Sequence, residues 1–104
     1  MVFVETSLFS KLLADYLSDD EYRGLQNHLI GRPDVGAIIR GSSGVRKVRW
    51  AAGGKGKSGG LRVIYYWIKA DEQIVLLTLY GKGEKGNLSA AELKRIVKII
   101  EELT

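Results

Sequence analysis

The chain has 104 residues, 45% of them hydrophobic, and a formal net charge of +4 at pH 7, so we expect a single domain, residues 1–104, with a basic surface. The absence of cysteine excludes disulfides, thiolate metal sites and cysteine nucleophiles, and a single histidine excludes multi-histidine metal cages. No apolar run reaches the roughly 18 residues of a membrane span and no signal peptide opens the chain, so we expect a cytoplasmic protein without membrane contacts.

The N-terminal part of the chain predicts a short strand and two helices. Residues 1–5 suit a strand, and apolar residues at three- and four-residue spacing from Ser7 predict the first helix. Thr6 or Ser7 is its expected N-cap. The second helix is predicted to begin at the capping box Ser18–Glu21 and to end at Gly31-Arg-Pro33.

The C-terminal part predicts an antiparallel meander and a last helix. Strands are expected at residues 45–51, 61–68 and 74–80, and the last of these is apolar enough to be central in the sheet. Ser89 and Glu92 are expected to cap the final helix. The predicted fold class is α+β, with two N-terminal helices and a C-terminal helix packed on a small, twisted, mainly antiparallel four-stranded sheet (β-α-α-β-β-β-α).

The positive charge is concentrated in one segment. Residues 41–69 contain seven Lys and Arg and no acidic residue, whereas residues 1–40 have four basic against six acidic and residues 70–104 have five against six. Such a concentrated field favours a polyanion, and nucleic acid is the commonest one. A solvated basic surface on an ordinary domain is the alternative interpretation.

The glycine- and lysine-rich run 53–60 does not predict a nucleoside triphosphate site. Gly56-Lys-Ser58 matches the end of a phosphate loop, but Ala51 stands where that loop needs its first glycine, and a strand follows instead of a helix. Lys55 and Lys57 can still contact a nucleic-acid backbone, because glycines let backbone amides approach phosphates. The alternative is a hairpin loop with two solvated lysines.

Neither metal nor cofactor is expected. Mg²⁺ and Mn²⁺ sites need clustered carboxylates, and no acidic residue lies between Asp34 and Asp71. His28, beside Leu25 and Leu29 on the second helix, is expected to be a partly buried structural residue.

Four aromatic residues in the predicted strands are candidates for stacking on nucleic-acid bases. Because neighbouring strand residues point to opposite faces, we expect core packing for Tyr65 and Trp67 and leave Tyr66 open; Trp50 is the fourth candidate.

Strand alternation also pairs up the basic residues of the predicted sheet. Arg62 shares a face with Tyr66, and Lys47 shares one with Arg49. If the two faces coincide, cations from two strands meet on one surface, but the strand register is not determined by the sequence.

Residues 46–66 (RKVRWAAGGKGKSGGLRVIYY) resemble the RelE/ParE superfamily of bacterial toxins, and most closely its HigB-type, ribosome-dependent members. Residues 76–84 (LLTLYGKGE) and 3–9 (FVETSLF) are similar to the last strand and the opening of that family. The resemblance implies a toxin of a type II toxin–antitoxin system that cleaves mRNA in the ribosomal A site and is neutralised by a cognate antitoxin. It also implies that the toxin–antitoxin complex binds operator DNA through the antitoxin.

The resemblance further implies roles for individual residues in metal-independent RNA cleavage, in which the 2′-hydroxyl attacks the adjacent phosphate. Such a site needs cations for the phosphoryl oxygens, a base and an acid. The implied catalytic residues are Arg49, Lys57, Arg62 and Tyr80, and the implied substrate-binding residues are Lys47, Lys55, Tyr66 and Lys82. The base is left open between the two lysines of run 53–60, since the segment 87–89 lacks the Tyr or His of several relatives. We expect Arg62 to be an exposed strand cation.

Two other functions remain open at this point. One is a non-catalytic member of the superfamily that inhibits a protein target such as gyrase, although that branch generally lacks the basic face that residues 41–69 predict. The other is a plain RNA- or DNA-binding module, which would need the same basic face and no acid or base.

Overall fold

The computed structural model describes residues 1–51 and 60–103. Lys55 and Lys57, which the sequence predicts to act on the substrate, lie outside the described residues. The elements in chain order are β1 (Val2–Glu5), α1 (Ser7–Tyr16), α2 (Asp19–Gly31), β2 (Ala37–Ile38), β3 (Arg46–Trp50), β4 (Leu61–Ile68), a 3₁₀ turn (Lys69–Asp71), β5 (Gln73–Gly81) and α3 (Ala90–Leu103). Within the described ranges, no helix is long and apolar enough to span a membrane.

The strands form one sheet in the order β1-β5-β4-β3-β2. β1 runs parallel to β5, and the other neighbours are antiparallel. The predicted α+β class is confirmed, with five strands in the described residues where four were expected. The additional strand, β2, pairs only Ala37 with Lys47 and Ile38 with Arg46. Two residues are too few to show the alternation by which strands are recognised in a sequence.

Local hydrogen bonds fix the starts of the helices, as the sequence predicts. Thr6 caps α1, which settles the choice between Thr6 and Ser7. Ser18 and Glu21 form a full capping box at α2. At α3 the Ser89 N–H donates to Glu92 Oε1 at 2.8 Å and the Glu92 N–H donates to Ser89 Oγ at 3.1 Å. These bonds satisfy backbone donors that a helix N-terminus leaves without a partner.

Two hydrophobic cores lie on opposite faces of the sheet. The helices α1 and α2 cover one face, where the buried residues are Phe9, Leu17, Leu25, Leu29, Val48, Leu61, Val63, Tyr65, Ile74, Leu76 and Leu79. α3 covers the other face, where they are Val45, Ile64, Val75, Leu77, Tyr80, Ile96 and Ile100. β4 and β5 contribute to both cores, which confirms that the strand predicted at 74–80 is central.

Most of the aromatic residues belong to the core under α1 and α2. Tyr65 is fully buried and Trp67 packs against the same core, as expected. Trp50 also packs there, and its ring centroid lies 5.3 Å from that of His28. His28 is therefore partly buried and structural, as the sequence suggests, and Trp50 is turned away from the face that carries Arg49.

Candidate functional site

Three polar side chains form a row across the three central strands of the sheet, near one end of each strand. Arg49 on β3 pairs with Arg62 on β4, and Arg62 pairs with Tyr80 on β5. All three are on the α3 face, since Tyr80 packs in the same core as Ile96 of that helix. The strand register therefore brings together the two basic faces whose relation the sequence leaves open. We call these residues the Arg–Arg–Tyr row.

The Arg49–Arg62 pair places two like charges opposite each other on neighbouring strands. Directly opposite residues on antiparallel strands have Cβ atoms about 4.5–5.5 Å apart, and like charges at such positions destabilise the pairing. An anion bound between these two positions would be stabilised by both guanidinium groups. Local rules of stability are typically broken in this way at functional sites.

Arg62 is buried, and the expectation that it is an exposed cation is wrong. Its relative exposure is 9%, whereas Arg49 is exposed. Arg62 lies on a central strand, with Arg49 on β3 and Tyr80 on β5 paired on either side of it. A charge held in such a place acts on a ligand more strongly than one in open solvent, because water screens it less.

Lys47 lies next to the row on the same face of β3, two residues before Arg49. Its Nζ donates a hydrogen bond to Asn87 Oδ1 at 3.1 Å. Lys47 and Tyr80 both line a cleft of about 390 Å³, together with Ala37, Ile38, Ile39, Arg40, Asn87, Leu88 and Leu93. A phosphate or sugar entering this cleft from the row would therefore meet a further cation.

Tyr80 has a buried hydroxyl that lacks a hydrogen-bond partner within residues 1–51 and 60–103. Its side chain is 3% exposed. Burial raises the pKa of the Tyr80 phenol, while Arg62 and Lys85 pull it down and Glu92 raises it further, with a net upward shift. Tyr80 is therefore protonated at neutral pH and can donate a proton or a hydrogen bond.

Lys85 was missed by the sequence analysis, although it lies beside Tyr80. Its Nζ is 5.2 Å from the centroid of the Tyr80 ring and 2.6 Å from Glu92 Oε2. The hydrogen bond from Lys85 is the main reason that the pKa of Glu92 lies below its ordinary value, and a backbone hydrogen bond from Ser89 adds to it. The sequence offers one signal for this contact. Glu92 caps α3 through Oε1, which leaves Oε2 to accept a hydrogen bond from a nearby lysine.

The other predicted site residues are placed differently. Lys82 is exposed in the turn after β5, two residues beyond Tyr80. Tyr66 is on the α3 face, but it is four residues from Arg62 along β4, ~13 Å at about 3.3 Å per residue, and packs against the core under α3. The structure thus keeps Tyr66 apart from the row. Lys55 and Lys57 lie outside the described residues. The strands that precede and follow them in the chain end in the pair Trp50–Leu61, which is next to the Arg49–Arg62 pair of the row.

Two of the remaining basic residues of segment 41–69 lie away from the row. Arg46 points to the opposite face of β3, where its Nη1 donates to the carbonyl oxygens of Asp34 and Gly36 at 3.0 and 2.8 Å. Lys69 follows β4 at the far end of the sheet, with Nζ 5.8 Å from the centroid of the Trp67 ring. In the part of the chain that is described, no group of three or more His, Asp or Glu side chains is placed to hold a metal ion.

The chain is similar to known proteins in sequence and in fold. The model of the family described as the RelE toxin of the RelE/RelB toxin–antitoxin system matches residues 35–104, which include the whole row. The fold is also similar to that of an E. coli toxin RelE mutant in the free state, in which two arginines are replaced by alanine. That similarity has a TM-score of 0.62 at 16% sequence identity and covers 95% of this chain and 96% of the other. From the family match over residues 35–104, the chain belongs to the RelE family of toxins of toxin–antitoxin systems.

Proposed function

We propose that this toxin is a ribosome-dependent endoribonuclease that stops translation by cleaving mRNA in the ribosomal A site. The observation that carries the proposal is the Arg–Arg–Tyr row, in which two arginines and a tyrosine that retains its proton occupy paired positions on one face of the sheet. Membership of the family supports it. The similarity to the HigB-type members remains a prediction.

The proposed chemistry uses the RNA's own 2′-hydroxyl as the nucleophile and needs no metal. The 2′ oxygen bonds to phosphorus, the bond from phosphorus to the 5′ oxygen breaks, and the products are a 2′,3′-cyclic phosphate and a 5′-hydroxyl. Negative charge gathers on the phosphoryl oxygens in the transition state. Arg49 and Arg62 are the proposed donors to these oxygens, and one such preorganised donor contributes about 10²–10³ in rate.

Proton transfer is divided between two kinds of group. Tyr80 retains its proton at neutral pH and is the proposed acid that protonates the departing 5′ oxygen. Lys57, or Lys55 in the same segment, is the proposed base that takes the 2′ proton. Lys47 and Lys82 lie on either side of the row and are proposed to contact the RNA backbone, and Tyr66 remains a proposed contact at a greater distance from it.

Toxins of this family are named for a toxin–antitoxin system, so an antitoxin is the expected protein partner. We propose that the antitoxin presents an acidic segment to this cationic protein, since opposite charges speed association and fix the register of the complex. The complex is proposed to bind operator DNA through the antitoxin, and the free toxin to act in the cytoplasm on translating ribosomes.

In vitro translation with purified protein tests the proposed function. New mRNA 5′ ends are mapped with and without ribosomes, and their chemistry is determined, since cleavage by the 2′-hydroxyl leaves a 5′-hydroxyl rather than a 5′-phosphate. We expect ribosome-dependent cuts that Arg62→Ala abolishes. Arg23→Ala is the matched control, because it removes an exposed arginine from α2, whose nearest acidic partner is Asp20 at 3.6 Å. Urea denaturation of both variants verifies that they are folded.

The same experiment distinguishes the alternatives. A protein that binds RNA without cutting it would be a binding module, and one that leaves translation intact but blocks gyrase would belong to the non-catalytic branch. Either result would refute the proposed function.

A further inference from the structure

The turn that follows β5 is attached to α1 through the carboxylate of Glu84. Glu84 Oε1 accepts a hydrogen bond from the Gly81 N–H at 2.6 Å and another from the Tyr16 hydroxyl at 2.5 Å. The Glu84 N–H also donates to the Gly81 carbonyl at 3.0 Å, which closes the turn over residues 81–84. One side chain therefore holds the turn in shape and ties it to the end of α1. We call this set of bonds the Glu84 clamp.

Gly81 and Tyr16 are both suited to their places in the clamp. A Cβ atom added at Gly81 would lie 2.9 Å from Glu84 Oε1, so a larger residue there would push the carboxylate away from the N–H that it accepts. Burial, followed by the hydrogen bond to Glu84, raises the pKa of Tyr16 to about 12. Tyr16 therefore retains the proton that it donates to Glu84 throughout the neutral range.

The clamp lies at one end of the Arg–Arg–Tyr row. Gly81 directly follows Tyr80, and it pairs with Leu61, the residue before Arg62. The next residue, Lys82, donates its N–H to the Gly60 carbonyl at 3.2 Å. A change in the shape of the turn would therefore displace both Tyr80, which precedes Gly81, and Lys82, which follows it.

We propose that Glu84 is a positioning residue of the site, which acts with Tyr16 to hold Tyr80 in place for catalysis and Lys82 in place to contact the RNA. The inference rests on the proposed function. Glu84 Oε1 is engaged by the Gly81 N–H and the Tyr16 hydroxyl, so the role proposed for Glu84 is to hold the turn and not to transfer a proton. A displacement of about 1 Å in a catalytic group can reduce the rate by 10²-fold, so loss of the clamp should lower the rate of the chemical step more than the affinity.

The test is single-turnover cleavage of mRNA on programmed ribosomes with Glu84→Ala, Glu84→Gln and Tyr16→Phe. We expect Glu84→Ala to lower the rate at saturation by about 10- to 100-fold while the half-saturating toxin concentration changes by less than about threefold. Glu84→Gln keeps an oxygen that accepts both hydrogen bonds and should restore the rate to within about threefold of the wild type. Tyr16→Phe should fall between Glu84→Ala and the wild type.

Glu5→Ala is the matched control. Glu5 also accepts a tyrosine hydroxyl, that of Tyr22 at 2.6 Å, and so ties α2 to β1 rather than to the turn after β5. We expect this variant to cleave at the wild-type rate. An undiminished rate in Glu84→Ala, no rescue in Glu84→Gln, or an equal loss in Glu5→Ala would overturn the proposal.

Amide hydrogen exchange of the free toxin separates this proposal from the proposed function. Without its acceptor, the Gly81 N–H of Glu84→Ala should exchange about tenfold faster than in the wild type, and Glu84→Gln should protect it. If the wild-type toxin cuts no mRNA, the proposed function is wrong. The rate of Gly81 exchange then tests on its own whether Glu84 holds the turn. Unchanged Gly81 exchange in Glu84→Ala overturns the clamp, and faster exchange supports it.

Discussion

Replacing Tyr80 by phenylalanine should reduce activity without reducing stability. The Tyr80 ring packs in the core under α3, and Lys85 lies over its face at 5.2 Å, contacts that phenylalanine retains. Only the hydroxyl is lost, and it has no hydrogen-bond partner among the described residues. A buried polar group without a partner costs about 1–3 kcal/mol. We therefore expect the free energy of unfolding of Tyr80→Phe to be unchanged or raised by up to about 1 kcal/mol.

Tyr65→Phe is the matched control, because it makes the same chemical change at a tyrosine whose hydroxyl has partners. The Gly36 N–H donates to Tyr65 Oη at 2.9 Å, and that hydroxyl donates to the Pro33 carbonyl at 2.7 Å. Its removal leaves two backbone groups without their partner and should cost about 1–3 kcal/mol. Urea denaturation followed by circular dichroism measures both variants, and a Tyr80→Phe protein as unstable as Tyr65→Phe would refute the reasoning.

The activity of Tyr80→Phe tests the role of its hydroxyl as an acid. We expect single-turnover cleavage on ribosomes to fall by about 10²-fold, the lower end of the range for a general acid. An mRNA with sulfur in place of the 5′ bridging oxygen needs no proton on leaving, so Tyr80→Phe should cut it as fast as the wild type. A variant that is equally slow on both substrates would show that Tyr80 is not the acid.

Three further predictions concern charge and the cellular target. Arg49→Glu places an opposite charge across from Arg62, so we expect urea denaturation to show a gain of about 0.2–1 kcal/mol in stability while mRNA cleavage is lost; a destabilised or active variant would contradict this. Because the pKa of Glu92 is lowered, mainly by Lys85, the charged Glu92 stabilises the fold above its ordinary pKa of 4.5, and this contribution is lost as the pH falls through the lowered value. Glu92→Gln should therefore flatten the fall in melting temperature below pH 4.5, and an unchanged slope would show that the ion pair contributes nothing. Expression of the toxin without antitoxin should stop protein synthesis before DNA synthesis in pulse labelling, and the reverse order would indicate a replication target.

The parts of the fold that could be predicted from the sequence depend on neighbours in the chain. Ser18 and Glu21 are three residues apart, as are Ser89 and Glu92, so both capping boxes can be recognised without knowledge of the rest of the fold. The apolar character of residues 74–80 likewise predicts a strand that is covered on both faces.

The candidate site could be predicted only in part, because it depends on contacts between distant segments. The row requires the register between β3, β4 and β5, which includes an irregularity between Ile64 and Tyr65. Arg62 is buried on a strand that has a neighbour on each side, whereas arginine as a residue type is mostly exposed. Lys85 reaches Tyr80 through the path of a loop that has no periodicity to read.

The parallel pairing of β1 with β5 has a consequence for when the toxin becomes active during its own synthesis. Thr6 donates its hydroxyl to the Leu77 carbonyl across 71 residues of chain, so the first segment to be made finds its partner in one of the last. Closing so long a loop costs conformational entropy before the paired strands gain any stabilising contacts. Chains dominated by such contacts therefore fold slowly. α1 has no completed sheet to pack on until β5 is made, and the row lacks Tyr80 until then. We therefore expect a nascent chain that ends before Gly81 to be inactive, because its sheet is incomplete.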